Sequence, residues 1–201
     1  MTIHPDRLPT TLAALVGLSL AVLPAPGLAS AGAKPPPGWF ASGSHAHEYE
    51  MGTDKTRVYQ GKPSAYIKSK VDKTSGFGTL MQKVDVAPYR GKRLRFSGYV
   101  KTEDVEQWAG LWMRVDGKKD EVLAFDNMQG RPLEGTMDWK EVSVVLDVDQ
   151  KAQAVAFGIL LAGKGQAFLN SVKLTPVDKD VPTTATGPEK EPKNLDFDEE
   201  K

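Results

Sequence analysis

Arg93-Leu94-Arg95-Phe96-Ser97-Gly98-Tyr99-Val100-Lys101-Thr102 and, a little further on, Ala109-Gly110-Leu111-Trp112-Met113-Arg114-Val115-Asp116 decide the fold of this chain. In both, apolar and polar side chains alternate. Successive side chains of a strand point to opposite faces, so Leu94, Phe96 and Val100 share a face opposite Arg95, Ser97, Tyr99 and Lys101. In the second run Leu111, Met113 and Val115 oppose Trp112, Arg114 and Asp116. No helical period runs through this part of the chain, so these are strands.

The same pattern extends outward. Residues 64–69, 76–84, 122–127, 139–148, 155–162 and 166–175 are further short alternating or apolar runs. Val142, Val144, Leu146 and Val148 make one face, and Val155, Phe157, Ile159 and Leu161 another; Ala156, Gly158 and Leu160 lie opposite the latter. The breakers stand between runs: residues 88–92, Asp116-Gly117, 130–132 and 163–165 supply the glycines and prolines that turns need. Eight or more such strands predict an all-β, two-sheet antiparallel sandwich.

The ends differ in character. Arg7, the apolar run 12–23 and the small residues Ala29-Ser30-Ala31-Gly32-Ala33 read as a signal peptide cleaved after Ala31 or Ala33. A membrane anchor needs about 20 apolar residues, and Pro24 and Pro26 cut this run short. The expectation is export, periplasmic or secreted, rather than membrane integration. Residues 34–177 form the sandwich domain. Residues 178–193, rich in Pro, Thr, Lys and Glu, read as a flexible linker. In 194–201, Leu195 and Phe197 restore an alternating pair; the segment reads either as a strand docked back on the sandwich or as an unstructured acidic end.

Composition excludes several roles. The 26 basic and 26 acidic residues balance and are well mixed, which offers no electrostatic funnel for nucleic acid and no polybasic patch for lipid. The chain has no cysteine, which removes disulfides, thiol catalysis and thiolate metal sites. Packing alone must hold the domain, and it is expected to be a monomer.

Tyr89-Arg90-Gly91-Lys92-Arg93-Leu94-Arg95-Phe96-Ser97-Gly98-Tyr99-Val100 resembles a strand of jelly-roll domains in the galactose-binding-like superfamily, which includes many carbohydrate-binding modules. Gly163-Lys164-Gly165-Gln166-Ala167-Phe168-Leu169-Asn170-Ser171-Val172-Lys173-Leu174 is similar to their closing strand, and Trp39 to the Gly-Trp near their start. The resemblance covers residues 38–177 and implies a jelly roll that hosts sugar binders, protein binders and structural modules alike. Two departures stand out. The opening strand before the Gly-Trp is missing, and Asn194-Leu195-Asp196-Phe197-Asp198-Glu199 looks like it. Either the last segment fills the first-strand slot of a permuted jelly roll, or the chain was cut before a second domain. Asn170 stands where relatives commonly carry an aspartate that helps bind a structural calcium, which puts such a site in doubt.

Tyr99, Trp112, Arg114 and Asn127 are the candidate ligand-binding residues. Rings stack on the C–H faces of a sugar, and guanidinium and amide groups hold its hydroxyls. The competing reading covers that face with the chain's own segments, which makes Tyr99 and Trp112 packing residues. Residues 125–132 are a polar loop suited to line one end of a site, although Asp126 and Asn127 also suit an Asx turn. His45-Ala46-His47-Glu48 has metal-like spacing but lies in a Gly/Ser-rich loop without a distant partner, so it reads as solvated surface; no metal or cofactor is expected. The carboxylate pairs Glu103/Asp104 and Asp147/Asp149 flank strand ends with nothing to mark a general acid. Ser42 and Ser44 beside His45 lack the turn of a nucleophile elbow. The expected function is a non-catalytic, exported module that recognises carbohydrate. The alternatives are a structural or protein-interaction domain of the envelope and, third, a sensory or accessory domain.

Overall fold

A strand of 24 residues, β5 (Arg93–Asp116), would run about 80 Å if straight, and its bending makes the molecule. The computed structural model of the chain describes residues 33–119 and 121–185. The signal peptide and the C-terminal strand expected above, 1–32 and 194–201, lie outside the described residues.

The first half of β5 pairs with β7 (Leu133–Asp147) on one side and β9 (Gln166–Val177) on the other. β9 in turn pairs with β3 (Lys62–Ser69), and β3 with β2 (Tyr49–Tyr59). Its second half pairs with β8 (Ala154–Ala162) and β6 (Val122–Asp126). β8 pairs with β4 (Phe77–Asp85), and β4 with β1 (Phe40–Ser42). Every pairing is antiparallel. The result is a two-layered jelly roll, β2-β3-β9-β5-β7 over β1-β4-β8-β5-β6, with one strand shared.

The crossover lies near Asp104, whose φ of 52° is left-handed, and the ladder to β7 shifts register between Val100 and Ala109. The β8–β9 turn seats directly on this bend. A Cβ on Gly165 would stand 2.6 Å from Asp104 O and Val105 Cα, and one on Gly163 would stand 2.7 Å from Gln107 Cγ. Glu106 N–H donates to Lys164 O at 2.9 Å across the same contact. Glycine is required at both positions by close approach, and both have positive φ as well.

Between the layers lie the predicted inward faces. Leu94, Phe96, Val100, Leu111, Met113, Val115, Val144, Leu146, Val155, Ile159 and Leu161 have no exposed surface. Burial of each such aliphatic or aromatic side chain stabilises by roughly 1.5–3 kcal/mol. Phe157 packs against Phe96 at 4.8 Å and takes the Trp39 ring edge-on at 6.1 Å.

After β9 the described chain continues to residue 185. β7 is the last strand of its sheet, and residues 178–185 turn back along it. Thr184 N–H donates to Val145 O at 2.8 Å, and Val145 N–H donates to Thr184 Oγ1 at 2.8 Å. The Asp147 carboxylate receives Arg93 Nε at 3.0 Å and Nη2 at 2.8 Å, and Lys179 Nζ at 2.6 Å. Those bonds, the Arg93 guanidinium foremost, lower the Asp147 carboxyl to about 2. An edge strand has outward N–H and C=O groups that need partners, and this segment supplies them at Val145. Residues 186–193 lie outside the described residues. No helix among the described residues is long and apolar enough to cross a membrane.

Candidate functional site

The outward face of the β1-β4-β8-β5-β6 sheet carries a groove of about 670 Å³. Its layout follows from register. Ala162 on β8 stands between Phe77 of β4 and Trp108 of β5; Leu160 stands between Thr79 and Gly110. Gly158 stands between Met81 and Trp112, and Ala156 between Lys83 and Arg114. β1 adds Phe40 beside Met81 and Ser42 beside Thr79; β6 adds Phe125 beside Arg114. The central strand thus offers mostly small side chains and the flanking strands aromatic ones, which leaves a trough. A largely apolar hollow with a few convergent polar groups is the usual form of a small-molecule site.

Trp112 belongs to the floor. Only 7% of it is exposed, and its indole N–H donates to Thr79 Oγ1 at 2.6 Å. The Thr79 hydroxyl passes the bond on to Ile159 O at 2.8 Å. Trp108, Phe77 and Phe125 pack around the same cluster but remain half-buried, and Phe40 is 45% exposed at the rim. These are the rings with faces free for a ligand.

One wall is the 126–131 loop, which an internal ion pair fixes. Asp126, fully buried, receives Arg131 Nη1 at 3.1 Å and Nη2 at 2.6 Å. Its Oδ1 also accepts the Met128 N–H at 2.8 Å, the predicted Asx turn, and Met128 adopts a left-handed φ of 60°. Asn127 Oδ1 accepts the Gln129 N–H at 3.1 Å. The loop therefore presents the amides of Asn127 and Gln129 to the groove on a backbone anchored at both ends.

Trp112, Arg114 and Asn127, expected from sequence, all line this groove. Tyr99 does not. It lies on the first half of β5, in the other sheet, where the tip of the β2–β3 hairpin folds over the outer face. Tyr59 stacks on Tyr99 at 4.2 Å and meets Trp139 at 5.3 Å, while Arg57 reaches Glu103 at 3.3 Å. The hydrogen bond to Tyr59, then the Glu141 charge, push the Tyr99 phenol up to about 12. Tyr99 holds the hairpin tip, apart from this groove: alternation tells inward from outward, but the bend at Asp104 puts the two outward faces on opposite sides of the sandwich. Sequence reasoning missed Trp108, Phe40, Phe77 and Lys83. Trp108 was legible, since Trp108, Gly110, Trp112 and Arg114 share one parity; Phe40, Phe77 and Lys83 needed the cross-strand register.

Asn170 shows why an aspartate-dependent calcium does not fit here. Its Nδ2 donates to Lys62 O at 3.0 Å, Pro63 O at 3.1 Å and Ser64 Oγ at 3.0 Å. An amide N–H₂ thus occupies the focus of oxygens that a cation would need. His45 and His47 are 5.8 Å apart in a surface turn, and among the described residues no group of three His, Cys, Asp or Glu side chains gathers as metal ligands.

No family model matches the chain. It is 45% identical over 168 residues to the uncharacterized HTH-type transcriptional regulator YbfP of Bacillus subtilis (strain 168), a match that covers 81% of this chain and 57% of that protein. The chain thus spans little more than half the length of this curated relative. Among solved structures it is similar to the CBM22-1 xylan-binding domain of Paenibacillus barcinonensis Xyn10C, with a TM-score of 0.54 and 14% identity, over 73% of this chain and 90% of that one. It is also similar to a cyclase from Fischerella sp. TAU, with a TM-score of 0.52 and 16% identity, over 72% and 87% of the two chains. These likenesses are of fold: the all-β jelly roll expected from sequence.

Proposed function

We propose that the protein is an exported, non-catalytic module that binds carbohydrate in the groove across β4, β8 and β5. The observation that carries this is the lining itself. Half-buried rings of Trp108, Phe77 and Phe125 stand among the amides of Asn127 and Gln129, the Ser42 hydroxyl and the Arg114 guanidinium. A sugar needs that combination, an apolar face to cover its C–H surface and fixed polar groups for its hydroxyls. The fold is shared with a protein titled a xylan-binding domain and equally with one titled a cyclase, so the fold alone does not choose. The lining favours binding over catalysis: among the described residues it includes no Asp, Glu or His to act as general acid or base. Export rests on the apolar run 12–23 and the small residues after it; intact mass of the envelope or medium protein should give an N-terminus at Gly32 or Lys34, and retention of Met1 would overturn it.

A second reading takes its support from the relative in Bacillus subtilis, whose name places it among transcriptional regulators. There the same groove would sense a small ligand. The described residues contain two short 3-10 turns and no α-helix, so DNA contact would fall to other segments. A glycan array probed with the full chain, beside Trp108→Ala, tests the leading reading. Glycan signal lost in the folded variant supports it. An array without signal from folded protein overturns it and leaves sensing of a non-sugar ligand or protein docking.

A further inference from the structure

The groove has a charged end. Lys83 and Arg114 are the two register partners of Ala156, one from each neighbouring strand. Their backbones therefore stand two strand spacings apart, about 9–10 Å, and both side chains line the groove. Asp116, one step further along β5 on the same face, receives Arg114 Nε at 2.6 Å and Nη2 at 3.3 Å and lies 3.6 Å from Lys83 Nζ. Its side chain is only 12% exposed, against 42% for Arg114 and 54% for Lys83, and it is not part of the lining. The carboxylate thus lies behind the two cations and orients them. Arg114 keeps its Nη1 edge unengaged among the described residues, and Lys83, with three ammonium protons, keeps donors to spare. Asp85, the other register partner of Ala154, stands in the same row as Asp116 and accepts the Ala87 N–H at 3.0 Å; neither carboxylate joins the lining, whose own charge is that of the two cations. Among the described residues the only ionisable side chains in the lining are these two.

Resting on the carbohydrate reading, we propose that the groove selects an acidic saccharide, one whose ring carries a carboxylate, as a uronic acid does. The Phe40–Met81–Gly158–Trp112 row takes the sugar ring. The Lys83–Ala156–Arg114 row, two residues further along the strands and so about 7 Å away, takes the carboxylate. Arg114 receives it with its free edge and Lys83 as a mobile point charge. A neutral sugar in the same place desolvates the donors of both cations that Asp116 does not engage, and that cost is the source of discrimination.

The glycan array separates this from its premise. The best uronate-bearing ligand is then measured by calorimetry beside its methyl ester, at low and high salt, with Lys83→Gln and Arg114→Gln. The expected result is strongest signal from uronate-bearing glycans, at least tenfold weaker binding on esterification, weakening by salt, and loss of the acid preference in both variants, each still folded by its melting curve. Neutral or sulfated glycans giving the strongest signal would overturn the carboxylate selectivity while leaving the carbohydrate reading standing. So would an acid preference that survives in Lys83→Gln and Arg114→Gln. An array without any signal from folded protein would overturn both.

Discussion

The Trp112 indole N–H and the Thr79 hydroxyl meet at 2.6 Å across β8, between two strands that do not pair with each other. This bond ties β5 to β4 over the groove floor and makes Trp112 part of the sheet's own packing. Trp112→Ala is therefore expected to destabilise by about 3–5 kcal/mol, the usual cost of truncating a buried aromatic. Trp108→Ala, at a half-buried position, is expected to cost about 1 kcal/mol or less while removing glycan binding. Urea unfolding of both variants beside ligand titration checks the contrast; equal stability losses would place Trp108 in the floor too.

Arg131 neutralises a carboxylate that has no exposure, and it also donates to Ser143 O at 3.1 Å. Removal by Arg131→Ala strands the Asp126 charge, with an expected loss of about 3–5 kcal/mol. Arg131→Lys should recover only part of it, because an ammonium does not reproduce the two-pronged contact. Both variants should bind ligand more weakly even where they remain folded, since Asn127 and Gln129 lose their fixed backbone. Chemical denaturation and calorimetry measure the two effects separately.

Asn170→Asp replaces a donor with an acceptor in front of three oxygens. Without calcium it is expected to cost roughly 1–3 kcal/mol, the penalty of leaving such groups unpaired. Millimolar calcium should restore part of that stability, since carbonyl and carboxylate oxygens suit a hard cation, and should leave the unmodified protein unchanged. Thermal melts in chelator and in calcium decide it; a calcium-dependent melt of the unmodified protein would contradict the amide's role.

Asp147 gives a pH signature with a definite sign. Its carboxyl, ordinarily near 3.9, is lowered to about 2 in the folded chain by Arg93 first and then Lys179. The stabilisation is complete above about pH 4 and fades as pH falls toward 2, when protonation releases Lys179 and loosens Arg93, whose Nη1 still holds Lys179 O and Val181 O. The amide resonances of Val145 and Thr184 should titrate together with a midpoint near 2. In Asp147→Asn that transition should vanish, and hydrogen exchange at both amides should accelerate at neutral pH.

Alternation made the inward faces legible, because a core shared by two layers demands one parity whichever layer a strand joins: Leu94 and Leu111 were both placed correctly. It could not tell the layers apart. Tyr99 and Trp112 share outward parity on one strand, yet the left-handed residue Asp104 separates them. β2 carried no clear signal, since Glu50, Gly52, Asp54 and Lys55 belong to an edge strand with one face and one side open. The early part of β7 was hidden likewise by Glu134, Gly135 and Thr136. Groove residues from β1 and β4 depend on which strands become neighbours, a fact written in no single stretch of sequence.

β5 stands at the centre of both layers, and all four of its partners, β6 to β9, follow it along the chain. Strands made earlier, β1 to β4, reach β5 only through β8 or β9. A nascent chain that ends before residue 154 therefore lacks the strand that joins β4 to β5, and the layer that holds β2 and β3 is not continuous until β9 emerges. Long-range pairing of this kind slows folding. The order of synthesis thus delays closure of the sandwich until nearly the whole domain is available, which leaves an extended chain open to chaperones for the longest interval the topology allows.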